Sequence, residues 1–203
     1  MYNMIISRTP FRVSFFGGGT DYPAWIQEYG GAVIGTTINH FCYISCRYLP
    51  PFFEHNYRIC YSKTENVKFI EQIEHPSVNA VLRYLKFQDQ GLEIHHDADL
   101  PARAGLGSSS AFTVGLCNAL LALRGQSISK EDLAHLAIHI EQDILKETVG
   151  CQDQTLTAHG GLHCVYFSPN GAISVQPVIA PEKRIQMLQD HLLLFFTGRL
   201  EVC

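Results

Sequence analysis

The residues best suited to chemistry begin at Pro101. The stretch Pro101-Ala102-Arg103-Ala104-Gly105-Leu106-Gly107-Ser108-Ser109-Ser110 follows an extended segment, Leu92 to Leu100. It opens a run whose apolar positions Phe112, Leu116, Ala119, Leu120 and Leu123 have helical spacing. Gly105 and Gly107 let the backbone approach a ligand closely, and the hydroxyls of Ser108, Ser109 and Ser110 converge where a helix dipole is positive. A polyphosphate is stabilised by such a loop. A serine-rich helix cap is the competing reading, although one hydroxyl suffices for that. No lysine lies between Lys86 and Lys130, which excludes a Walker loop, and Ser110 stands where a dinucleotide fingerprint needs Gly or Ala. Charge on a transferred phosphate then falls to backbone amides, Mg²⁺ and residues from elsewhere in the chain.

Two acids and one cation are candidates to complete that site. Glu141 lies in a run that reads as one helix, Lys130–Thr148, with Ala137 four residues before it and Ile144 and Leu145 after it, so its carboxylate falls on or beside the apolar stripe. A carboxylate there is costly unless it meets a cation or donors. Mg²⁺ is the hard partner expected beside phosphate, and a solvated rim position is the alternative. Asp153, in Gly150-Cys151-Gln152-Asp153-Gln154, is expected in a short loop before Gly160-Gly161, where it accepts or orients a hydroxyl proton or closes an Asx-turn. Near the N-terminus, Arg12 lies on a strand that runs into Gly17-Gly18-Gly19-Thr20-Asp21-Tyr22. The glycines open the backbone to a ligand and the Thr–Asp pair suits a polyol, while a tight turn ahead of a helix explains the same residues. His95-His96 beside Asp97, and His135 with His139, lack a third ligand at metal spacing and read as strand edge and solvated helix face.

Positioning these segments requires alternating elements. Strands are expected at Met4–Ser7, Arg12–Phe16, Ala32–Ile38, Cys42–Tyr48, Arg58–Tyr61, Leu92–His96, Gly161–Phe167 and Leu192–Phe196, the last as a buried strand close to the chain's end. Helices are expected at Tyr22–Tyr29, Ser77–Leu85, Ser108–Leu123 and Lys130–Thr148, with Ser129 and Asp132 forming the start of the last. The class is α+β. Hydrophobic residues make up 46% of the 203 and charged residues 17%, which excludes a disordered chain. A net charge of −4 without a basic stripe argues against a nucleic-acid partner and for a small molecule. Cys42, Cys46, Cys60, Cys117, Cys151, Cys164 and Cys203 show no CxxC spacing and read as reduced thiols of a cytoplasmic protein. No apolar run approaches the ~20 residues that cross a membrane, and none is expected to anchor the chain.

Together these segments resemble the GHMP family of small-molecule kinases. Pro-x-x-x-Gly-Leu-Gly-Ser-Ser at 101–109 is similar to the family's second motif, and Arg12 with Gly17–Tyr22 looks like its first, sugar-facing motif. Glu141 and Gly-x-x-Asp-Gln at 150–154 fall where that family holds its metal ligand and catalytic aspartate, and Phe11–Tyr22 is similar to the branch acting on heptose phosphates. The resemblance implies a ribosomal-protein-S5-domain-2-like α+β domain over residues 1–190, with 191–203 beginning a ferredoxin-like C-terminal domain that is otherwise missing. It implies ATP on Pro101, Gly105, Leu106, Gly107, Ser108, Ser109 and Ser110, and Mg²⁺ on Ser109 and Glu141. Asp153 takes or orients the hydroxyl proton, Arg12 stabilises charge near the acceptor, and Arg12, Gly18, Gly19, Thr20, Asp21 and Tyr22 face a sugar or sugar phosphate. The implied reaction moves the γ-phosphoryl of ATP to the anomeric hydroxyl of a heptose 7-phosphate. A fucose or galactose acceptor, or a catalytically silent nucleotide- or sugar-binding module, are the alternatives. The family's third, glycine-rich motif has no counterpart in the sequence.

Overall fold

The computed structural model describes residues 4–88, 90–101 and 104–195. Its organising element is a long antiparallel pair, β1 (Met4–Phe16) and β2 (Gly31–Tyr48), joined through α1 (Pro23–Tyr29). The sequence pattern reads each strand as two. The strands run through because pairing continues with Thr9 opposite Cys42 and Pro10 opposite Phe41, and a bulge after Pro10, which has no N–H to donate, absorbs the mismatch. Phe11, at that irregularity, is buried in the core.

Period-two alternation sets the faces: Cys42, Ile44 and Cys46 of β2, with Leu92 and Ile94 of β5 (Leu92–Ala98), are buried. β5 pairs with the C-terminal half of β2 and β6 (Leu162–Phe167) with its N-terminal half. β3 (Tyr57–Cys60), β4 (Thr64–Val67) and β7 (Ile173–Pro177) extend the sheet to the order β4-β3-β5-β2-β6-β7, with β1 also on β2. The β3–β5 pairing is parallel and the other pairings are antiparallel.

α3 (Ser108–Leu123) crosses β1 and β2, and its residues from Ser110 to Cys117 are all buried, so its apolar pattern has no polar face. Closest approach is at Gly115, where a Cβ would lie 2.8 Å from Thr9 Oγ1, and the Ser7 hydroxyl donates to the Gly115 carbonyl at 2.8 Å. α2 (Pro76–Tyr84), α4 (Lys130–Ile138) and α5 (Gln152–His159) pack against α3. The fold is α+β, as the sequence pattern predicts. Cys42, Cys46 and Cys117 are core thiols whose pKa burial pushes up to about 12, and no helix among the described residues is long and apolar enough to cross a membrane.

Three expectations are corrected. Lys130–Thr148 is not one helix: Ser129 caps α4 as expected, with Asp132 N–H donating to its hydroxyl at 3.0 Å, but a π-helical turn, His139–Ile144, replaces the α geometry and the helix ends there. Asp153 is not in a loop but in the first turn of α5, whose sequence QDQTLTAH has too few apolar residues to show a stripe. Leu192–Phe195 forms no strand and is exposed, Leu193 by 81%, following α6 (Glu182–Asp190), in which no residue is buried. An apolar run becomes a core strand only where a partner ladder receives it, and among the described residues none does. Phe196 lies outside the described residues.

Candidate active site

Three distant segments meet at the N-terminus of α3. Gly105 and Gly107 both have positive φ, 71° and 72°, which turns the chain tightly into the helix and places the Gly107 Cα against the side chains behind it. A Cβ at 107 would sit 3.0 Å from Arg12 Cγ and 3.4 Å from Asp153 Oδ2. Arg12 projects from β1 and donates through Nε and a terminal nitrogen to the two Asp153 oxygens, each at 2.6 Å. Its other terminal nitrogen donates to the Gly105 carbonyl at 2.7 Å, and its backbone N–H to the Leu106 carbonyl at 3.1 Å. One guanidinium therefore fixes both the loop and the acid, and the bidentate geometry sets the plane of the carboxylate.

Glu141 approaches from the other side. The π turn rotates it inward, beyond the helix edge that the periodicity suggests, to 1% exposure. Its Oε2 accepts from the Ser110 hydroxyl at 3.0 Å and from the Gln154 amide, while Oε1 is buried without a partner. Burial pushes the pKa from about 4.5 up to about 7, against the hydrogen bonds from Thr113, Gln154 and Ser110 that favour the charged form. An orphaned carboxylate oxygen beside a phosphate-type loop fits a divalent cation. Among the described residues no cluster of three His, Cys, Asp or Glu side chains forms, so such an ion would take its remaining ligands from phosphate and water. The hydroxyl that reaches Glu141 is Ser110; Ser109 is exposed.

The glycine-rich segment after β1 divides in two. Gly18, Gly19 and Tyr22 lie toward the surface, a Cβ at Gly19 meeting nothing within 4 Å. Thr20 and Asp21 turn inward: the Thr20 hydroxyl donates to the Gly17 carbonyl at 2.8 Å, and Asp21, 1% exposed, accepts from the N–H of Gly19 and of Gln152, each at 3.1 Å. Pro101 is exposed, Leu106 packs on the core, and Ala102 and Arg103 lie outside the described residues.

Sequence reasoning missed two features. Gln154 carries the second donor to Glu141; the Gly-x-x-Asp-Gln motif includes it, but no role for it is read from the sequence. A cavity of about 210 Å³ opens beside Ser108 and Ser109, lined by His75, His96, Leu100 and Phe112. Its signal was available: alternation with Leu92 and Ile94 turns His96 to the buried face, whereas His95 pairs with Glu93 at 3.0 Å on the other face. His75, which caps α2, stacks on Phe112 with ring centroids 4.8 Å apart, and burial pushes the pKa of both His75 and His96 down. The lining is aromatic, with His75 stacked on Phe112 at 21° and His96 edge-on to it at 85°.

A strand, a glycine loop and a helix N-terminus, flanked by an Arg–Asp pair and a buried carboxylate, make a site suited to an anionic ligand. Residues 71–161 match the family model described as GHMP kinases N terminal domain. The chain is 27% identical over 204 residues to the D-glycero-alpha-D-manno-heptose 7-phosphate kinase of Campylobacter jejuni subsp. jejuni serotype O:2, covering 96% of this chain and 60% of that protein. It is 27% identical over 215 residues to the bifunctional fucokinase/GDP-fucose pyrophosphorylase of Arabidopsis thaliana, covering 95% of this chain and 20% of that one. A crystal structure of a D-glycero-D-manno-heptose 1-phosphate kinase from Bacteriodes thetaiotaomicron superposes with a TM-score of 0.80 at 24% identity, over 90% of this chain and 62% of that one. Residues 71–161 are thus similar to the GHMP kinase N-terminal domain, and the chain shares the fold of the heptose 1-phosphate kinase structure. It spans about 60% of the length of the Campylobacter relative.

Proposed function

We propose that this chain is the nucleotide- and sugar-binding part of an ATP-dependent sugar kinase whose acceptor is a heptose phosphate, phosphorylated at its anomeric hydroxyl. The observation that carries the reading is the convergence of the Arg12–Asp153 pair with the loop at Gly105–Gly107, while Glu141 sits on the far side of Ser110. The branch is supported by the heptose 7-phosphate kinase relative; the fucokinase relative supports sugars more broadly.

In this reading the triphosphate lies on the α3 N-terminus, where first-turn N–H groups and the helix dipole favour negative charge. The cavity lined by His75, His96 and Phe112 takes the base, since it opens at the two serines that touch the phosphates. Glu141 and Ser109, with Ser110 alongside, would hold Mg²⁺, which when bound neutralises charge on the transferred phosphoryl group. Asp153 accepts or orients the proton of the attacking hydroxyl at its carboxylate. Arg12 holds that carboxylate in plane and stabilises charge as it develops. Gly18, Gly19 and Tyr22 border the acceptor. Residues 1–190 form this unit and 191–203 begin another, a division supported by the exposed Leu193, Leu194 and Phe195. We place the protein in the cytoplasm on its buried, unpaired core thiols.

Coupled measurement of ADP release over a panel of sugars and sugar phosphates tests the proposal. Heptose 7-phosphate is expected to give the highest kcat/KM, and Asp153→Asn to lower kcat by on the order of 10²–10⁴-fold. Normal turnover in Asp153→Asn refutes the assigned role. ATP binding by calorimetry with no ADP formed for any acceptor shows a silent binding module instead.

A further inference from the structure

We infer that Asp21 is a positioning residue: its buried carboxylate orients the N-terminus of α5, and through it Asp153, and does not bind a sugar hydroxyl. The inference rests on the kinase reading above for what Asp153 does, but its geometric part stands apart from it.

Asp21 is 1% exposed, and every contact of its carboxylate is internal. One oxygen accepts from the Gly19 N–H at 3.1 Å and from the Gln152 side-chain amide at 3.3 Å; the other accepts from the Gln152 backbone N–H at 3.1 Å. The Asp21 carbonyl accepts from the Cys151 N–H at 3.1 Å. Gln152 is the first residue of α5 and Asp153 the second, so this single residue satisfies donors at the start of the helix that carries the acid. A negative charge at that end is also favoured by the helix dipole, which accounts for a buried carboxylate with no cation at hydrogen-bond distance among the described residues. Space confirms the fit: a Cβ on Gly150 would lie 1.8 Å from the Asp21 oxygen, so the absence of a side chain at 150 is what lets the carboxylate reach the helix.

The chain of contacts is continuous. Asp21 fixes Gln152, its neighbour Asp153 receives Arg12, and Arg12 holds the Gly105 carbonyl. At 1% exposure, a polyol hydroxyl could reach the Asp21 oxygens only if the segments around them moved apart.

The test compares wild type with Asp21→Asn and, should that variant not fold, with Gln152→Ala, which removes only the side-chain amide. An asparagine must present its NH₂ to one of the two sets of donors. Hydrogen exchange at the Gln152 amide, the backbone donor to the Asp21 carboxylate, is expected to speed up more than tenfold in Asp21→Asn and about threefold in Gln152→Ala. Unchanged exchange overturns the inference whether or not the chain is a kinase. In the kinetic arm, kcat is expected to fall ten- to a hundredfold with KM for sugar and ATP within twofold of wild type. A sugar KM raised tenfold or more at unchanged kcat overturns it in favour of direct sugar contact. Absence of turnover in wild type counts against the kinase reading alone, and the exchange measurement still decides the role of Asp21.

Discussion

Glu141 carries the largest electrostatic cost in the candidate site, and that cost has a pH signature. Its carboxyl is held at a pKa of about 7 in the folded chain against an ordinary value near 4.5. The folded state therefore keeps a proton that the unfolded state gives up. Stability from this group is present in full below pH ~4.5 and is lost as pH rises through ~7, because unfolding then releases the proton and relieves a desolvated charge. A shift of that size corresponds to roughly 3 kcal/mol. Replacing Glu141 by Gln leaves acceptor and shape but no charge. Urea titrations at intervals between pH 4.5 and 8 are expected to show wild type losing stability relative to Glu141→Gln by roughly that amount. Parallel curves across the range would show that the burial does not raise the pKa. The type and place of this residue were legible from Ile140, Ile144 and Leu145 around it, but the depth of its burial was not, because a π turn leaves no mark on apolar spacing.

At the scale of elements, the contact that sets the site's frame is α3 on β1. Glycine inside a helix ordinarily costs ~1 kcal/mol against alanine, so Gly115→Ala would stabilise an exposed helix. Here the added Cβ meets Thr9 Oγ1 at 2.8 Å and Ser7 Oγ at 3.3 Å, in a packed interior. Overpacking costs ~1–3 kcal/mol, which outweighs the gain, and Gly115→Ala is expected to lower Tm by several degrees in a thermal melt. A higher Tm would mean that the helix can lift off the sheet freely. The sequence pattern located α3 to the residue, since a strand, two glycines and an apolar run agree at every level. It missed β4, α5, β7 and α6, which are short, and it joined α4 to a segment that unwinds. The structure of α5 comes from what it packs against, such as Leu156 on Gly35, where a Cβ would come within 2.5 Å of the leucine.

Across the whole molecule, the site exists only because the sheet and α3 bring together residues 93 and 141 positions apart in the chain, from Arg12 to Gly105 and to Asp153. The motifs were readable one by one, but the bidentate pairing of Arg12 with Asp153 was not, since no local spacing connects β1 to α5. If the two residues act as one unit, their effects cannot add. Arg12→Lys keeps the charge but loses the planar fork that holds both carboxylate oxygens, and is expected to reduce kcat at least tenfold. Combining it with Asp153→Asn should cost little beyond Asp153→Asn alone, because the acid whose plane Arg12 sets is then already gone. A double mutant whose loss equals the product of the two single losses would show that Arg12 acts on the transferred phosphoryl group independently of Asp153. That outcome would leave the salt bridge as scaffold, and would move the loop contact at Gly105 to the centre of Arg12's role.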